Sequence, residues 1–236
     1  MKRAFMLVAV IAFGACAGDL DPPWQLDHDR IIAVRATPPG IAAGDTSTID
    51  ALLGVKGGKT YVASPELATV VSPMSLSGSL AFQGGAWVVT APGEDRLTAA
   101  RAELGLEAGA PVPLQVGVAY ANQTLLATKT ILLGQAAANP ALVNVMLDDM
   151  PAGPAGPAGT SEVVVGKLVN VPLSIDADDT DYDVTWLTSC GTMHDFDLPN
   201  AYLKIEVEDP DAGELAVVLR DARTGVAWSV WSIHGE

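Results

Sequence analysis

The chain has 236 residues, 49% of them apolar and 17% charged, with 28 acidic residues against 13 basic ones and a formal net charge of −15. The length can bury a sizeable core in one or two domains, and acidity of this size keeps a domain soluble without fixing a partner. The charge excludes nucleic acid as a partner, because binding phosphate needs a basic face that releases counterions.

The first sixteen residues have the parts of an export signal. Lys2 and Arg3 form a positive n-region, Ala4 to Ala15 is an uncharged apolar run, and small residues surround Cys16. At about 1.5 Å per residue the run makes roughly 18 Å of helix, short of a ~30 Å hydrocarbon core, so no permanent membrane span is expected. Phe13-Gly14-Ala15-Cys16 resembles a lipobox, with Phe13 where that motif usually has Leu, Val or Ile. The resemblance implies that residues 1–15 are a lipoprotein signal peptide and Cys16 is the acylated first residue. The chain would then be held at the cell envelope, at the outer membrane, through an N-terminal lipid. Ala15-Cys16-Ala17 also fits an ordinary small-x-small cleavage site, which would leave Gly18 first. Loss of residues 1–15 removes two basic residues and no acidic one, leaving 11 against 28 and a net −17. With Cys16 acylated, Cys190 has no cysteine to pair with, and the core must hold by packing.

Residues 16–29 are acidic, contain Pro22 and Pro23, and lack periodicity, which predicts a tether. From Arg30 the sequence becomes short β-like runs between Gly, Pro, Asn and Asp. Strands are expected at Arg30–Ala36, Thr46–Leu53, Lys59–Ala63, Ala86–Thr90, Val112–Tyr120 and Leu125–Leu133, the fifth with a clear period of two. Asp95–Leu104 places Leu97, Ala100, Arg101 and Leu104 on one helical face, with Asp95 as N-cap and Gly105 as stop. A small-residue connection near Gly134–Asn139 separates a first domain, residues 30–135, from a second, residues 139–236.

In the second domain, strands are expected at Ala141–Asp148 and Leu168–Ile175, around a Pro-Ala-Gly loop at 151–159 too short for a collagen helix. Further strands carry Tyr182, Val184 and Trp186, then Leu203, Ile205 and Val207. The last two carry Leu215, Val217 and Leu219, then Val226, Trp228 and Val230. Short strands with turn signals every 8–12 residues or so describe a β-sandwich. Both halves open with strand, Pro/Gly loop and strand, so they are taken as two copies of one module.

The segment RIIAVRATPPGIAAGDTSTIDALL (30–53) resembles the opening strands of bacterial immunoglobulin-like extracellular domains. VTWLTSCG (184–191) and GELAVVLRDARTGVAWSVWSI (213–233) resemble their later strands, with a Trp in a central strand and a final hairpin. The resemblance implies an all-β protein of two immunoglobulin-like β-sandwich domains in tandem, with one short helix in the first. It implies a non-catalytic structural spacer or recognition module and carries no catalytic residues.

Four other features bear on function. Gly54–Thr60 has a Walker-like look, but Leu53 stands where the first Gly is required, so a Gly-rich hairpin is expected. Asp176, Asp178, Asp179, Asp181 and Asp183 crowd before Trp186 and are weak Ca²⁺ candidates, set against an ordinary solvated turn. The EF-hand Gly and Glu are replaced by Asp181 and Leu187. Cys190 and His194 lack the further ligands of a zinc site and are expected to be a free thiol and a loop His. Trp186 and Trp228 are expected in the core, whereas Trp231 points the other way and is the candidate for stacking on a sugar. The alternatives to a spacer are therefore a Ca²⁺-assisted glycan-binding or adhesin module and an accessory domain of an envelope enzyme. Besides the membrane, the partner would be an envelope protein or a glycan.

Overall fold

The computed structural model describes residues 22–153, 162–177 and 181–236. The first module runs β1 (Arg30–Thr37), β2 (Gly40–Ile41), β3 (Thr46–Gly54), β4 (Tyr61–Ala63) and β5 (Leu67–Ser72). A 3₁₀ turn at Met74–Ser79 then leads to β6 (Leu80–Gln83), β7 (Ala86–Thr90), α1 (Glu94–Leu104), β8 (Val112–Tyr120) and β9 (Leu125–Leu133). The second runs β10 (Met146–Leu147), β11 (Met150–Pro151), β12 (Glu162–Val165), β13 (Val171–Ser174) and β14 (Tyr182–Thr188). It finishes with β15 (Thr192–His194), β16 (Asn200–Lys204), β17 (Ala212–Asp221) and β18 (Val226–Gly235).

These strands make two sheets per module, and no sheet mixes the modules. The first module pairs β1-β3-β7-β6, with β4 on β3, against β2-β9-β8-β5. The second pairs β10-β13-β16-β15, with β11 on β10, against β12-β18-β17-β14. Lettered in chain order, both modules read A-B-E-D facing A′-G-F-C, the immunoglobulin arrangement, and A′ runs parallel to G in both (β2 with β9, β12 with β18). Two immunoglobulin-like sandwiches in tandem therefore follow from the chain's own strand order.

Each sandwich closes on alternating apolar residues. Val112, Leu114 and Val116 of β8 enter the first core beside Ile131 and Leu133 of β9. Leu215, Val217 and Leu219 of β17 enter the second around Trp186, which is fully buried and gives its indole N–H to the Leu198 carbonyl at 3.1 Å. The short helix forms where expected and seals the end of the first core with Leu97 and Ala100. Its N-cap is Gly93 rather than Asp95; Glu94 and Asp95 sit in the first turn, where their charge complements the helix dipole. Gly105 closes it in the left-handed conformation at φ 66°.

Several strands differ from the sequence expectation. The Ala141–Asp148 run is extended only at Met146–Leu147, because Asn144 and Asp148 take φ of 49° and 53°. In Leu168–Ile175 pairing starts at Val171, since Leu168 is left-handed at φ 60°, and Val169 faces solvent. Val207 is also exposed: β16 stops at Lys204, and the Asp209 carboxylate takes the Glu206 N–H at 2.8 Å to form a turn. Strands β5 and β6 fall in the stretch where no strand was read between Ala63 and Ala86.

The expected tether is partly built into the fold. Leu26 N–H donates to the Thr188 carbonyl at 2.8 Å, and Thr188 N–H donates to the Trp24 carbonyl at 2.9 Å, so this segment lies parallel to the end of β14. Leu26 is buried and Trp24 packs on the second core. The pairing also covers the β14 edge. Gly54 makes this approach feasible, because a Cβ there would lie 2.6 Å from the carbonyl oxygens of both Leu26 and His28.

Candidate functional site

The sequence places a second apolar stripe on the sheet β14–β17–β18, and the fold uses it as a seam. Leu215, Val217 and Leu219 of β17 fill their own core, whereas Ala216 and Val218 turn outward and are equally buried. Leu187 and Val226 flank them, with Trp228 and Val230 at the border. The opposing surface comes from Ile32 and Ala33 of β1, Leu52 of β3, and Leu26. Burying a Val, Leu or Ile side chain contributes about 1.5–3 kcal/mol, so this cluster alone favours one fixed arrangement of the modules.

Polar contacts fix the register of the seam. The Arg35 guanidinium lies 3.9 Å above the Trp228 ring and is held there by two hydrogen bonds to Asp50, at 3.1 and 2.6 Å. A cation over an indole contributes about 0.5–2 kcal/mol, depending on desolvation. Arg220 reaches back across the seam to the Ile32 carbonyl at 3.0 Å while bonding Thr185 Oγ1, also at 3.0 Å. Burial draws its pKa below the usual value and Asp183 opposes the shift. In the connection, Asn139 donates to the Ala36 carbonyl and accepts from the Val226 N–H, both at 2.9 Å. One amide thus satisfies a backbone group from each module.

Two charged side chains are buried at this junction. Glu214 accepts the Thr60 N–H at 2.7 Å, tying the β3–β4 loop of the first module to β17. Lys129 of β9 donates to the Thr224 carbonyl at 2.5 Å in the β17–β18 hairpin. Desolvation pulls its pKa down to about 8; Asp221 and Asp50 oppose the shift and Arg220 adds to it. A cleft of about 650 Å³ opens beside Glu214, between the Gly57–Lys59 loop and the ends of β17 and β18. Its volume suits a small ligand, but its lining lacks an aromatic ring.

The candidate residues read from sequence are not gathered at this junction. Trp231 is corrected: it is 2% exposed, sits in the second core and gives its indole N–H to the Gly153 carbonyl at 3.1 Å, so it presents no ring to a sugar. Trp228, expected in that core, lies in the seam instead. The two exchanged roles because both faces of β18 are covered. Of the acidic residues, Asp178 and Asp179 lie outside the described residues, as do Cys16 and most of the 151–159 loop. Asp176 is exposed and accepts from Asn144 Nδ2 at 3.4 Å; Asp183 turns towards Arg220 at 3.9 Å. Among the described residues no three His, Cys, Asp or Glu side chains are grouped to hold a metal. Cys190 is a buried free thiol whose pKa burial pushes up to about 11, so it is not a thiolate at neutral pH. His194 is exposed and stacks on Tyr202 at 4.9 Å. Of the Gly54–Thr60 stretch, Gly54 ends β3 and the rest is the β3–β4 hairpin loop. Sequence reasoning missed Arg35, Lys129, Asn139, Glu214 and Arg220. The available signal was the unbroken apolar run at 215–219, which a sheet with one solvated face does not need.

The fold and seam define a class: a two-module immunoglobulin-like β-sandwich protein with a packed inter-module junction. No family model matches the chain, and no curated protein matches it. Among solved structures it is similar to a nucleoside hydrolase-related hypothetical protein from Saccharophagus degradans associated with carbohydrate metabolism (13% identity, 42% of this chain and 26% of that one, TM-score 0.31). It is also similar to the N-terminal Ig1-2 module of the Drosophila receptor protein tyrosine phosphatase DLAR (9%, 86% and 98%, TM-score 0.30). A third match is the two tandem V-type regions of the v-region-containing chitin binding protein VCBP3 (13%, 86% and 99%, TM-score 0.31). The strand order, not these scores, carries the assignment.

Proposed function

We propose that the chain is a non-catalytic, lipid-anchored envelope protein whose two immunoglobulin-like modules act as one rigid spacer or recognition unit. The observation behind this reading is the seam. A string of sandwiches needs only a flexible linker to connect its modules, yet here Asn139, Arg220 and Lys129 each bond across the junction over an apolar centre. Such a junction transmits orientation from one module to the other. The lipid anchor rests on Phe13–Cys16, and no helix of the described residues is long and apolar enough to cross a membrane.

Cys16→Ser is expected to abolish fatty-acid labelling and move the protein from the membrane to the soluble fraction. Membrane association unchanged in that variant ends the lipoprotein reading. Rigidity is tested on the same soluble protein by small-angle scattering: the profile should match one fixed arrangement of modules, and a broad distribution of arrangements contradicts the spacer.

A further inference from the structure

The seam exists because the β14–β17–β18 face of the second module is covered by the β1–β3 face of the first. Among the described residues, the corresponding face of the first module, β5–β8–β9, is open. Register aligns the two faces row by row. On the covered face, Asp183, Arg220 and Val226 form one row and Thr185, Val218 and Trp228 the next. On the open face the matching rows are Leu67, Ala119 and Leu126, then Thr69, Gly117 and Thr128.

The open face has the character of a contact surface. Leu67 is 46% exposed and Leu126 73%, flanking the buried Ala119, and Val71 adds a third exposed apolar side chain. Gly117 leaves a shallow floor, since a Cβ there would lie 3.2 Å from Val71 Cγ2. The three strands carry a single charged residue, Lys129, and it is buried. Strand β5 is the sheet edge, but Pro65 and Pro73 flank it, which disfavours strand addition and leaves the face as the contact.

At the other end of the stack, the second module's β10–β13–β16–β15 sheet is equivalent to the β1–β3 sheet used in the seam. Its strands contain no carboxylate; Pro172 is exposed, and Tyr202 and His194 stack beside it in register. In a chain of net charge −15, most surfaces of two copies repel, whereas the strands of these two faces carry no carboxylate. The acids at their margins include Glu66 beside Leu67, Asp148 beside Pro172, and Glu206, which Lys204 neutralises.

We propose that the occupant of the open β5–β8–β9 face is the β10–β13–β16–β15 face of a second copy of this chain, repeating the internal seam between molecules. The contact joins two different surfaces, so each docking leaves one free face of each kind at the ends of the assembly. Growth is therefore head to tail. This goes beyond the spacer reading and holds whether or not Cys16 is acylated.

Sedimentation velocity over a wide concentration range tests it, using the full chain with Cys16→Ser so that no acyl chain contributes to association. The expected result is a sedimentation coefficient that keeps climbing past the dimer value. Leu126→Glu on one face, or Pro172→Glu on the other, should each return the protein to monomer. Both side chains are exposed, and unchanged melting curves verify the fold. An equimolar mixture of the two variants retains one good pair of faces and should stop at dimer. A wild-type chain monomeric throughout overturns the proposal. So does a dimer that Pro172→Glu leaves intact, because that outcome marks symmetric pairing of first modules.

Discussion

The two modules share one strand order and differ in what happens behind their G-F-C sheets. In the first, β8 reads VPLQVGVAY and alternates, so its outward residues include Gln115 and Gly117. In the second, β17 carries LAVVL, and every residue of that run is buried, odd positions in the module's core and even positions against the other module. One topology therefore yields a free face or a seam according to whether the second period of a strand is apolar. Topology sets which surfaces exist; the residues between the core positions decide which are used.

The largest expected effect separates the modules by stability. Trp186→Ala empties the centre of the second core and should cost about 3–5 kcal/mol in urea unfolding, while first-module amides keep their exchange protection. A loss below about 1 kcal/mol would mean Trp186 does not anchor that core. Next, Arg220→Ala leaves the Ile32 carbonyl without its donor and should cost about 1.5–3 kcal/mol, the range for a charged hydrogen bond. It should also broaden the scattering-derived arrangement of modules, which a defect confined to one core would not do.

Lys129 supplies a pH signature of the junction. Its folded pKa of about 8 lies below the ordinary 10.5, so between those values the unfolded chain holds a proton that the folded chain has released. Stability contributed by this group therefore rises with pH across that window, by at most about 3 kcal/mol; below pH 8 the cost of burying the charge is fully present. Lys129→Met should remove the rise, and identical pH profiles in the two proteins would refute the assignment. Asn139→Ala, which orphans one backbone group on each side, should cost about 1–3 kcal/mol. The smallest effect is expected from Ca²⁺: melting in millimolar Ca²⁺ and in chelator should coincide. A Ca²⁺-dependent rise that disappears in Asp181→Ala would restore the adhesin alternative.

Much of the fold was legible because sandwich strands announce themselves by alternation. Val112–Tyr120 and Leu125–Leu133 have the bounds expected of them, as do Ala86–Thr90 and the hairpin ending at Gly225. Errors arose where local backbone chemistry overrides an apolar pattern, as at Asn144 and Leu168, whose left-handed φ interrupts otherwise β-like text. The seam was illegible for a different reason. Trp228 and Trp231 lie three residues apart on opposite faces of one alternating strand, and nothing within the strand says which face meets its own core and which meets another domain. Arg35 and Asp50 are fifteen residues apart and become a clamp on Trp228 only through the register of β1 and β3. In the acidic cluster, two of the described members take different partners, Asp176 meeting Asn144 and Asp183 meeting Arg220.

The clasp of Trp24 and Leu26 on Thr188 has a mechanical consequence. Residues Trp24–Leu26 lie beside the end of β14 of the second module, although they belong in sequence to the first. Tension applied through the N-terminus would therefore reach the second module directly, through the two backbone bonds at Thr188, before loading β1. Because Gln25 pairs in parallel with β14, that load falls along the strand, and the two bonds resist together in shear rather than opening one at a time. A pull on the N-terminus would load the inter-module joint instead of unzipping the first sandwich from its end.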